Sequence, residues 1–351
     1  MIDMQYNIIN VKATKEYNIC IGRGVLAAIG ELIAPVLGKC RLAVLTDSNV
    51  DALHGTAMME HLAAAGYDAC KYVIPAGEAS KCADNLLAFL NFLAGEQITR
   101  SDAVIAFGGG VVGDLGGLSA SLYLRGIKYV QVPTTLLAAV DSSVGGKTAI
   151  DIPAGKNLVG SFYQPVLVCC DTTLMDTLPA SIYRDGCAEV IKYGMILDKE
   201  LYALLQAPPF ERGSVVARCV EIKRDVVEQD EFDNGLRGLL NFGHTFGHAI
   251  EKLSNFAVTH GEAVAKGMVI AAKIAPLCGL CDVTAELSAL LERYGFDLSC
   301  PYSATEMYDA MLADKKRRGG SITMVLPRAI GDCALVTVTI EELKDLLNKV
   351  I

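Results

Sequence analysis

Residues 102–114 read DAVIAFGGGVVGD, an apolar run followed directly by clustered glycines and a second apolar segment. The run 102–107 predicts a buried strand, and the glycines after it predict a tight turn that opens a helix. Three further β-rich runs alternate with amphipathic helical stretches along the first half of the chain: residues 42–46, 70–74 and 129–132. This alternation predicts a parallel sheet with helices on both faces.

The pattern changes near residue 179. Long helical periodicities follow, including residues 214–229 and 239–253, and a predicted hairpin at 322–326 and 333–338 precedes a last helix. The sequence therefore predicts an α/β, Rossmann-like N-terminal domain at residues 1–178. It predicts a mainly α-helical C-terminal domain at residues 179–351.

The composition is that of a folded, acidic protein. The 351 residues include 31 Lys and Arg against 40 Asp and Glu, a formal net charge of −9. Apolar residues make up 52% of the chain, which excludes a disordered protein. A negative net charge disfavours a nucleic-acid partner, because Lys and Arg must replace the counterions of phosphates. The same net charge disfavours an anionic small-molecule substrate. The charge within one binding site can differ from the net charge, however, so the net charge does not exclude such a substrate.

Several features predict a cytoplasmic protein without a membrane partner. The first residues carry no signal-peptide pattern, and the most apolar long stretch, 267–283, is interrupted by Lys273 and Pro276. Twelve cysteines in such a chain predict reduced thiols. Cys278 and Cys281 form a CxxC without a second pair, and we interpret them as small residues buried in a helix bundle rather than as a redox or metal site.

The glycine loop is a candidate phosphate-binding turn. Gly108, Gly110 and Gly113 satisfy GxGxxG, which lets backbone approach a pyrophosphate at a helix N-terminus. Alone the motif is equally compatible with a plain tight turn. No acid ends the next strand to bind a ribose, so Asp47 is the candidate. At the carboxyl ends of the strands, Asp47, Glu78, the glycines and Thr134 are expected to converge.

A second set of residues predicts a divalent-metal site. His244 and His248 are four positions apart on one helical face, and His260 follows at a predicted turn into the next helix. Glu189 lies in an apolar helical stretch, where a bare carboxylate is costly unless paired. Two imidazoles and a carboxylate with an open position suit catalytic Zn²⁺. The spacing leaves the third ligand open between His260 and a carboxylate such as Glu262. An ion pair of Glu189 with Lys192 is the alternative interpretation.

Cations and one amide are interleaved with these candidates. Lys147 follows two glycines, without the spacing of a Walker motif, and Lys156 and Asn157 follow another glycine; both segments are expected to be irregular. Four more cations lie beside apolar stretches: Arg125, Lys192, Lys223 and Arg237. Any one of them is usually an ordinary solvated charge, but six cations interleaved with candidate site residues are less easily explained in that way.

Together these segments closely resemble 3-dehydroquinate synthase, a family of sugar phosphate cyclases. The resemblance covers nearly the whole chain and rests on these segments: GGGVVGD (108–114), QVPTTLLA (131–138), DSSVGGKT (141–148), GKN (155–157), AEVIKYG (188–194), RGLLNFGHTFGH (237–248), HGEAV (260–264) and DKK (314–316).

The resemblance implies a role for each matching residue. The metal, Zn²⁺ or Co²⁺, would be bound by Glu189, His244 and His260. The catalytic residues would be His248, Lys147, Asp141, Lys192 and Asn157. Substrate would also contact Arg125, Lys223, Arg237, Asn241 and Lys316, with Arg125 reaching the partner's site in a homodimer. NAD⁺ would contact Asp47, Asn49, Glu78, Lys81, Gly109, Gly110, Val111, Asp114, Thr134, Thr135, Leu137, Asp141, Ser142, Lys147, Lys156, Leu174, Thr177 and Leu178.

The reaction implied by the resemblance converts 3-deoxy-D-arabino-heptulosonate 7-phosphate to 3-dehydroquinate and phosphate. Transient oxidation by NAD⁺ acidifies the neighbouring C–H bond, phosphate leaves by β-elimination, and re-reduction and an aldol closure follow. The redox step cancels, so the enzyme would be a carbon–oxygen lyase of aromatic amino acid biosynthesis. A substrate with a carboxylate and a phosphate accounts for the cations.

One segment departs from the family pattern. After Leu178-Pro179 the family usually has a basic residue and a Glu, whereas this chain has Ser181 and Ile182. A contact of that Glu with the cofactor is therefore in doubt, because Ile182 cannot accept a hydrogen bond.

Three other functions would account for parts of this pattern. A cyclase that makes an inosose or valiolone product would share cofactor and metal but would use a substrate without the carboxylate; Lys223, Arg237 and Asn241 favour the carboxylate-bearing one. A metal-dependent polyol dehydrogenase would accumulate NADH. A non-catalytic metal-binding protein would not need so complete a site.

Overall fold

The structure is a computed structural model that describes residues 6–315 and 320–351. These residues form two compact units. The first contains the chain up to Pro179 together with Arg212–Phe232, and the second contains Ala180–Glu211 and Asp233–Ile351.

The strands and helices alternate in the first half of the chain, and helices predominate in the second. The strands are β1 (Tyr6–Lys12), β2 (Glu16–Gly22), β3 (Leu42–Asp47), β4 (Ala69–Ile74), β5 (Ala103–Gly108), β6 (Lys128–Pro133), β7 (Lys147–Ile152), β8 (Gly155–Phe162), β9 (Leu167–Asp171), β10 (Ser321–Ala329) and β11 (Asp332–Thr339). The helices are α1 (Ile29–Leu37), α2 (Ser48–Val50), α3 (Thr56–Ala64), α4 (Ala83–Gly95), α5 (Gly110–Leu122), α6 (Ala180–Leu197), α7 (Lys199–Leu204), α8 (Arg212–Gln229), α9 (His244–Leu253), α10 (His260–Ile274), α11 (Thr284–Arg293), α12 (Ala304–Lys315) and α13 (Ile340–Val350). Short 3-10 or π turns are Val25–Ala28, Asp51–Gly55, Glu78–Ser80, Tyr123–Arg125, Ala138–Ser142, Thr172–Thr177, Leu236–Asn241 and Ala275–Cys278.

The first unit is organised around one sheet. Within the described residues its strand order is β1-β2-β9-β6-β5-β3-β4. β1 pairs antiparallel with β2, and the other neighbours pair in parallel. The predicted parallel sheet is confirmed.

Alternating side chains of β3 bury apolar surface on both faces of this sheet. Leu42 and Val44 pack with α1 and α3 on one face. Ala43 and Leu45 pack with α4 and α5 on the other. Because side chains along a strand point alternately to the two faces, a continuously apolar strand requires a helix layer on each. The predicted helices on both faces are confirmed.

The strand order reverses at β3, which pairs with β4 on one side and β5 on the other. In open parallel sheets, ligands bind outside the carboxyl ends of the strands at such a reversal. Asp47 ends β3 and Gly108 ends β5, so the candidate cofactor residues lie at this position.

The segments around Lys147 and Asn157 are regular rather than irregular, so that expectation is wrong. β7 and β8 form an antiparallel hairpin with Lys147 opposite Phe162. The two strands pair with each other and not with the main sheet, and neither shows the apolar run that predicted β3 and β5.

The chain passes between the two units three times, and the sequence pattern predicted only the first of these crossings. The chain leaves the first unit after Pro179, close to the predicted residue 178, but α8 returns to it. The helix packs on β1, β2 and the turn at Ala138–Ser142. Glu228, near its end, accepts a hydrogen bond from the backbone N–H of Lys12 at 2.7 Å. Helical periodicity says which face of α8 is apolar but not which unit covers it.

The second unit is mainly helical around α10. Most of its side chains are buried, and it packs against α6, α9, α11, α13 and β10. The predicted C-terminal hairpin is confirmed as β10 and β11. Of the predicted helix 239–253, only α9 is α-helical, because Gly243 has a positive φ of 80° and separates it from the preceding 3-10 turn.

One smaller expectation also fails. Cys281 is exposed and Cys278 is half-buried, so the CxxC is not buried in a bundle. Within the described ranges, no helix combines the length and apolar character that crossing a membrane demands.

Candidate active site

Three helices of the second unit bring Glu189, His244 and His260 together. Glu189 lies on α6, His244 is the first residue of α9, and His260 is the first residue of α10. His244 Nε2 is 3.4 Å and His260 Nε2 is 3.3 Å from Glu189 Oε1. One potential ligand atom from each of the three residues lies within 4.8 Å of the others. This is the spacing of groups that could share one ion.

The donor set fits a divalent metal. The Glu189 side chain is fully buried, and neither of its oxygens accepts a well-formed hydrogen bond from the described residues. The Lys192 ammonium forms an ion pair with Oε2, so the alternative interpretation of Glu189 is also present in the structure. That pair leaves Oε1 facing the two imidazoles. A carboxylate oxygen and two imidazole nitrogens at one point match a catalytic zinc site.

The charges around this triad are strongly coupled. Burial opposes ionisation of Glu189, but Lys192 and His244 hold its pKa well below the usual value. Burial also opposes the charged form of His260, yet the adjacent carboxylates of Glu189 and Glu251 raise its pKa to about 10. The two carboxylates therefore stabilise positive charge at this site, which also suits a bound metal cation.

Of the alternatives for the third ligand, the structure brings His260 to the triad. Glu262 instead lies 3.5 Å from the ammonium of Lys266, one helical turn further along α10. Spacing alone could not decide which of these two residues is the ligand, because they lie two positions apart at the start of the same helix. Their difference is the direction in which each side chain leaves the helix.

The other candidates of the second unit lie on neighbouring segments. His248 is exposed on α9, and its ring centroid is 5.5 Å from that of His244. Arg237 is buried, with 1% exposed, and Asn241 is exposed; both lie on the Leu236–Asn241 turn. Ile182, where the family pattern has Glu, is exposed in the first turn of α6. Lys316 lies outside the described residues.

In the first unit the glycine turn is enclosed by four candidate cofactor residues. A Cβ on Gly109 would lie 3.1 Å from Thr135 Cγ2, and one on Gly110 would lie 3.3 Å from Ser142 Oγ and 4.0 Å from Leu137 Cδ2. Thr134 is buried, and its N–H donates to the carbonyl of Gly108. Val111 follows in the first turn of α5. The backbone N–H groups that begin this 13-residue helix suit a pyrophosphate.

Lys81 joins four further candidates in one network. Its ammonium lies 3.1 Å from Glu78 and 3.2 Å from Asp114, and it donates to Asn157 Oδ1 at 2.7 Å. Lys156 lies 3.6 Å from the same Glu78 oxygen. Asp151, which the sequence reasoning missed, lies 4.0 Å from Lys81 and accepts from the backbone N–H of Asn157.

Burial sets the protonation of this network. It raises the pKa of Asp114 to about 6, although the neighbouring Lys81 opposes the shift. Burial alone would lower the pKa of Lys81, but Asp114 and Glu78 hold it above the usual value. The ammonium of Lys81 therefore stays charged at neutral pH.

The other candidates of the first unit are more dispersed. Asp47 Oδ1 accepts from the backbone N–H groups of Asn49 and Val50, so one of its oxygens caps α2. Lys223 Nζ donates to the Asp141 carbonyl at 2.6 Å and also contacts the Asp141 carboxylate. The remaining residues are Lys147 at the start of β7, Arg125 in the Tyr123–Arg125 turn, Leu174 and Thr177 in the Thr172–Thr177 turn, and Leu178 just after it.

Glu251 is a site residue that the sequence reasoning missed. It is buried on α9, and its Oε1 is 3.5 Å from His260 Nδ1. It follows His244 by seven positions, about two helical turns, so the spacing places both on one face. The same helix also contains Thr245, His248 and Lys252, so an acid at this position does not stand out in the sequence.

Comparison with known proteins then decides the family. The family model described as 3-dehydroquinate synthase N-terminal matches residues 71–185, and the one described as 3-dehydroquinate synthase C-terminal matches residues 186–317. The chain belongs to the 3-dehydroquinate synthase family. A 3-dehydroquinate synthase of Enterococcus faecalis is 42% identical over 346 residues, which cover 96% of this chain and 97% of that protein. The resemblance seen in the sequence is confirmed.

Solved structures of two other cyclases share the fold of this family member. A 2-deoxy-scyllo-inosose synthase complexed with carbaglucose-6-phosphate, NAD⁺ and Co²⁺ is 25% identical, with a TM-score of 0.87 over 98% of this chain and all of that one. A 2-epi-5-epi-valiolone synthase from Streptomyces hygroscopicus, with NAD⁺ and Zn²⁺ bound, is 29% identical, with a TM-score of 0.87 over 97% of this chain and 98% of that one. Both are less similar in sequence than the 3-dehydroquinate synthase.

Proposed function

We propose that this chain is a 3-dehydroquinate synthase that converts 3-deoxy-D-arabino-heptulosonate 7-phosphate to 3-dehydroquinate and phosphate, with NAD⁺ and Zn²⁺ or Co²⁺ as cofactors. The observation that carries the proposal is the triad of Glu189, His244 and His260 in a chain whose two domains both match that family. The glycine turn before α5 supports the binding of a dinucleotide, because it offers backbone N–H groups at the start of a helix.

The cofactors supply the redox chemistry and the residues supply binding and charge. When bound, NAD⁺ would supply the acceptor and later the donor of a hydride at C5 of the substrate, and the divalent metal would lower the pKa of the C5 hydroxyl. Glu189, His244 and His260 would bind the metal. The glycine turn, Asp47 and the Lys81 network would bind the dinucleotide.

Buried cations complement the negative charge of the substrate. Lys192, Lys223 and Arg237 are each at most 5% exposed, and such charges are rarely buried without partners. Glu189 contacts Lys192 and Asp141 contacts Lys223, so both ammonium groups are held in place before substrate arrives. We assign these three cations, with Lys147, Asn157, Asn241 and His248, to the substrate carboxylate, hydroxyls and phosphate.

The C5 ketone acidifies the C6–H bond, and an oxygen of the substrate phosphate takes the C6 proton as the C7–O bond breaks, so that phosphate leaves and a C6–C7 double bond forms. After the hydride has returned to C5, the ring opens and frees the C2 ketone. C7 is then the nucleophilic carbon of an enolate, and its attack on C2 closes the carbocycle. His248 is exposed and lies next to the triad, so we assign it to the substrate phosphate. Holding the substrate and stabilising charge are the main tasks of the residues, because the oxidised intermediate is reactive by itself.

The decisive experiment offers the purified protein this heptulosonate phosphate with Zn²⁺ and substoichiometric NAD⁺. We expect one phosphate released per substrate consumed and no net NADH, because the hydride returns. A parallel reaction with glucose 6-phosphate tests the cyclases whose substrates lack the carboxylate. Net NADH build-up, or phosphate release from the hexose phosphate alone, would contradict the proposal.

We propose in addition that two copies associate through the β7–β8 hairpin. Leu158, Val159 and Phe162 of β8 are each more than 40% exposed, and Phe162 packs against Phe232, which is also exposed. Ser161 Oγ donates to Ser121 Oγ at 3.0 Å, which joins β8 to the end of α5. Exposed Leu122, Leu124 and Arg125 follow there. Contiguous apolar surface of this kind is typical of an interface.

Replacing Leu158 and Phe162 by Asp should convert a dimer into a monomer, because two charges would enter an apolar interface. Sedimentation velocity over a range of concentrations measures the change. The matched control is Leu87→Asp, which alters an apolar side chain that is 59% exposed on α4. A monomeric unmodified protein, or a double variant that still sediments as a dimer, would contradict this interface.

We also place the protein in the cytoplasm, because all twelve cysteines are free thiols and an oxidising compartment would favour disulfides. Recovery of the native protein mainly from a periplasmic or secreted fraction would contradict this location.

A further inference from the structure

Glu251 stands next to the metal triad without belonging to it. It is a carboxylate with 3% exposure on α9. His260 lies between two acids: its Nε2 is 3.3 Å from Glu189 Oε1, and its Nδ1 is 3.5 Å from Glu251 Oε1. The two nitrogens of one imidazole therefore face two different carboxylates.

This arrangement matters because an imidazole binds a metal through one nitrogen only when that nitrogen carries a lone pair. The other nitrogen then carries the proton and needs an acceptor. Metal-binding histidines usually donate this N–H to a carboxylate, carbonyl or water, which fixes both the tautomer and the orientation of the ring.

We propose that Glu251 is a positioning residue that accepts the Nδ1–H of His260 and so keeps Nε2 available for the metal. The inference rests on the metal site proposed above and adds to it. It concerns the affinity of that site, not the chemistry of the substrate.

The backbone around His260 is already fixed by other contacts, which leaves the rotation of its ring to Glu251. Thr259 Oγ1 donates to Asp185 Oδ1 at 2.6 Å and ties the start of α10 to α6. A Cβ on Gly261 would lie 2.4 Å from the Asp185 backbone, so the two helices touch there. With the helix held this closely, the side-chain torsions of His260 are the remaining freedom.

A second metal ion is the competing explanation. His248, Glu251 and His260 also place one potential ligand atom each within 4.8 Å of one another. His260 would then have to bind through Nδ1, either instead of Nε2 or with both nitrogens deprotonated. A neutral imidazole with its proton on Nδ1 donates to Glu251 and offers the lone pair of Nε2 to a metal shared with Glu189, without that cost, and so the geometry favours the positioning role.

The experiment measures metal affinity directly, in metal-free full-length protein. Zn²⁺ is titrated in competition with a chromophoric chelator, and Co²⁺ is titrated by its visible absorption. The variants are Glu251→Gln, which keeps an acceptor oxygen but removes the charge, and Glu251→Leu, which removes both. The matched control is Glu262→Gln on the first turn of α10, whose carboxylate faces Lys266 and not His260.

We expect the unmodified protein to bind one equivalent of metal. Carboxylates in this role typically contribute 10–100-fold to metal affinity, so Glu251→Gln should weaken binding by about 10-fold and Glu251→Leu by about 100-fold. The Co²⁺ absorption should change shape in both variants, because the ring orientation is no longer fixed. Glu262→Gln should stay within about twofold of the unmodified protein. Should Glu251→Leu not fold, Glu251→Gln decides alone.

Each unexpected result of this experiment would contradict a different claim. If the unmodified protein binds metal and Glu251→Gln binds it equally well, the positioning role is wrong and the proposed function stands. If the unmodified protein binds two equivalents and Glu251→Gln loses one, Glu251 is a ligand of a second ion, which also overturns the inference. If the unmodified protein binds no metal, the metal site of the proposed function itself is wrong.

Discussion

Replacing Glu189 by Gln should abolish tight metal binding and lower turnover by roughly 10³-fold, because the metal contributes several kcal/mol to stabilising charge on the substrate oxygen. The carboxylate is fully buried, and its Oε1 faces His244 and His260. An amide at this position is neutral, so it no longer offsets the charge of a divalent ion. Metal content and phosphate release measure the two effects.

The same substitution should also destabilise the protein, which needs a control. Glu189 and Lys192 form an ion pair with at most 1% exposure on either side chain. Removing one partner of a buried pair costs about 3–5 kcal/mol, because the other charge stays buried. The double variant Glu189→Gln with Lys192→Met removes both charges. We expect it to recover most of the free energy of unfolding.

This control separates the two interpretations of Glu189. Removing the charge of Lys192 does not restore the carboxylate that binds the metal. The double variant should therefore remain unable to bind Zn²⁺. If instead the double variant bound Zn²⁺ with the affinity of the unmodified protein, Glu189 would be only the structural partner of Lys192. Urea denaturation of the metal-free proteins and a metal titration together give the answer.

Replacing Gly267 by Ala should lower the free energy of unfolding by about 3 kcal/mol, at the upper end of the usual overpacking cost. Gly267 lies in the middle of α10, where a Cβ would lie 2.0 Å from the carbonyl oxygen of Gly243 and 2.8 Å from the backbone N of Gly247. Backbone atoms cannot rotate away as a side chain can. The two helices must therefore move apart.

The displaced helices are those that begin with His244 and His260, so metal affinity should fall together with stability. The control is Gly95→Ala at the end of α4, where no atom lies within 4 Å of the new Cβ. That substitution should be neutral or slightly stabilising, because Ala has the higher helix propensity. Equal denaturation midpoints for Gly267→Ala and the unmodified protein would show that α9 and α10 do not pack as closely as described.

Much of the first unit could be predicted from local sequence. Continuous apolar runs such as residues 102–107 identify strands buried on both faces, and the glycines after them identify the turn. The β7–β8 hairpin was missed, because its residues are half exposed and lack both the apolar run and clean alternation. The return of α8 to the first unit was missed because periodicity is a property of one helix, whereas its partner surface lies far away in the chain.

The candidate metal site shows the same division. The pair His244 and His248 is visible at helical spacing, and an acid in the apolar stretch around Glu189 is visible as a cost that needs a partner. The residues alone could not choose between His260 and Glu262, and they gave no reason to single out Glu251. Those choices depend on which side of α10 faces α6 and α9.

The net charge of −9 likewise says little about the site. Lys192, Lys223 and Arg237 are buried cations, and their surroundings rather than the total charge determine what they can bind. Local pattern in the sequence determined the class of each segment, the glycine turn and the histidine pair, because these follow from the periodicity and chemistry of neighbouring residues. Only the tertiary structure decided that Glu189, His244, Glu251 and His260, spread over 72 positions of the chain, lie around one point. The physical reason is the close packing of α6, α9 and α10, where glycines allow backbones to touch.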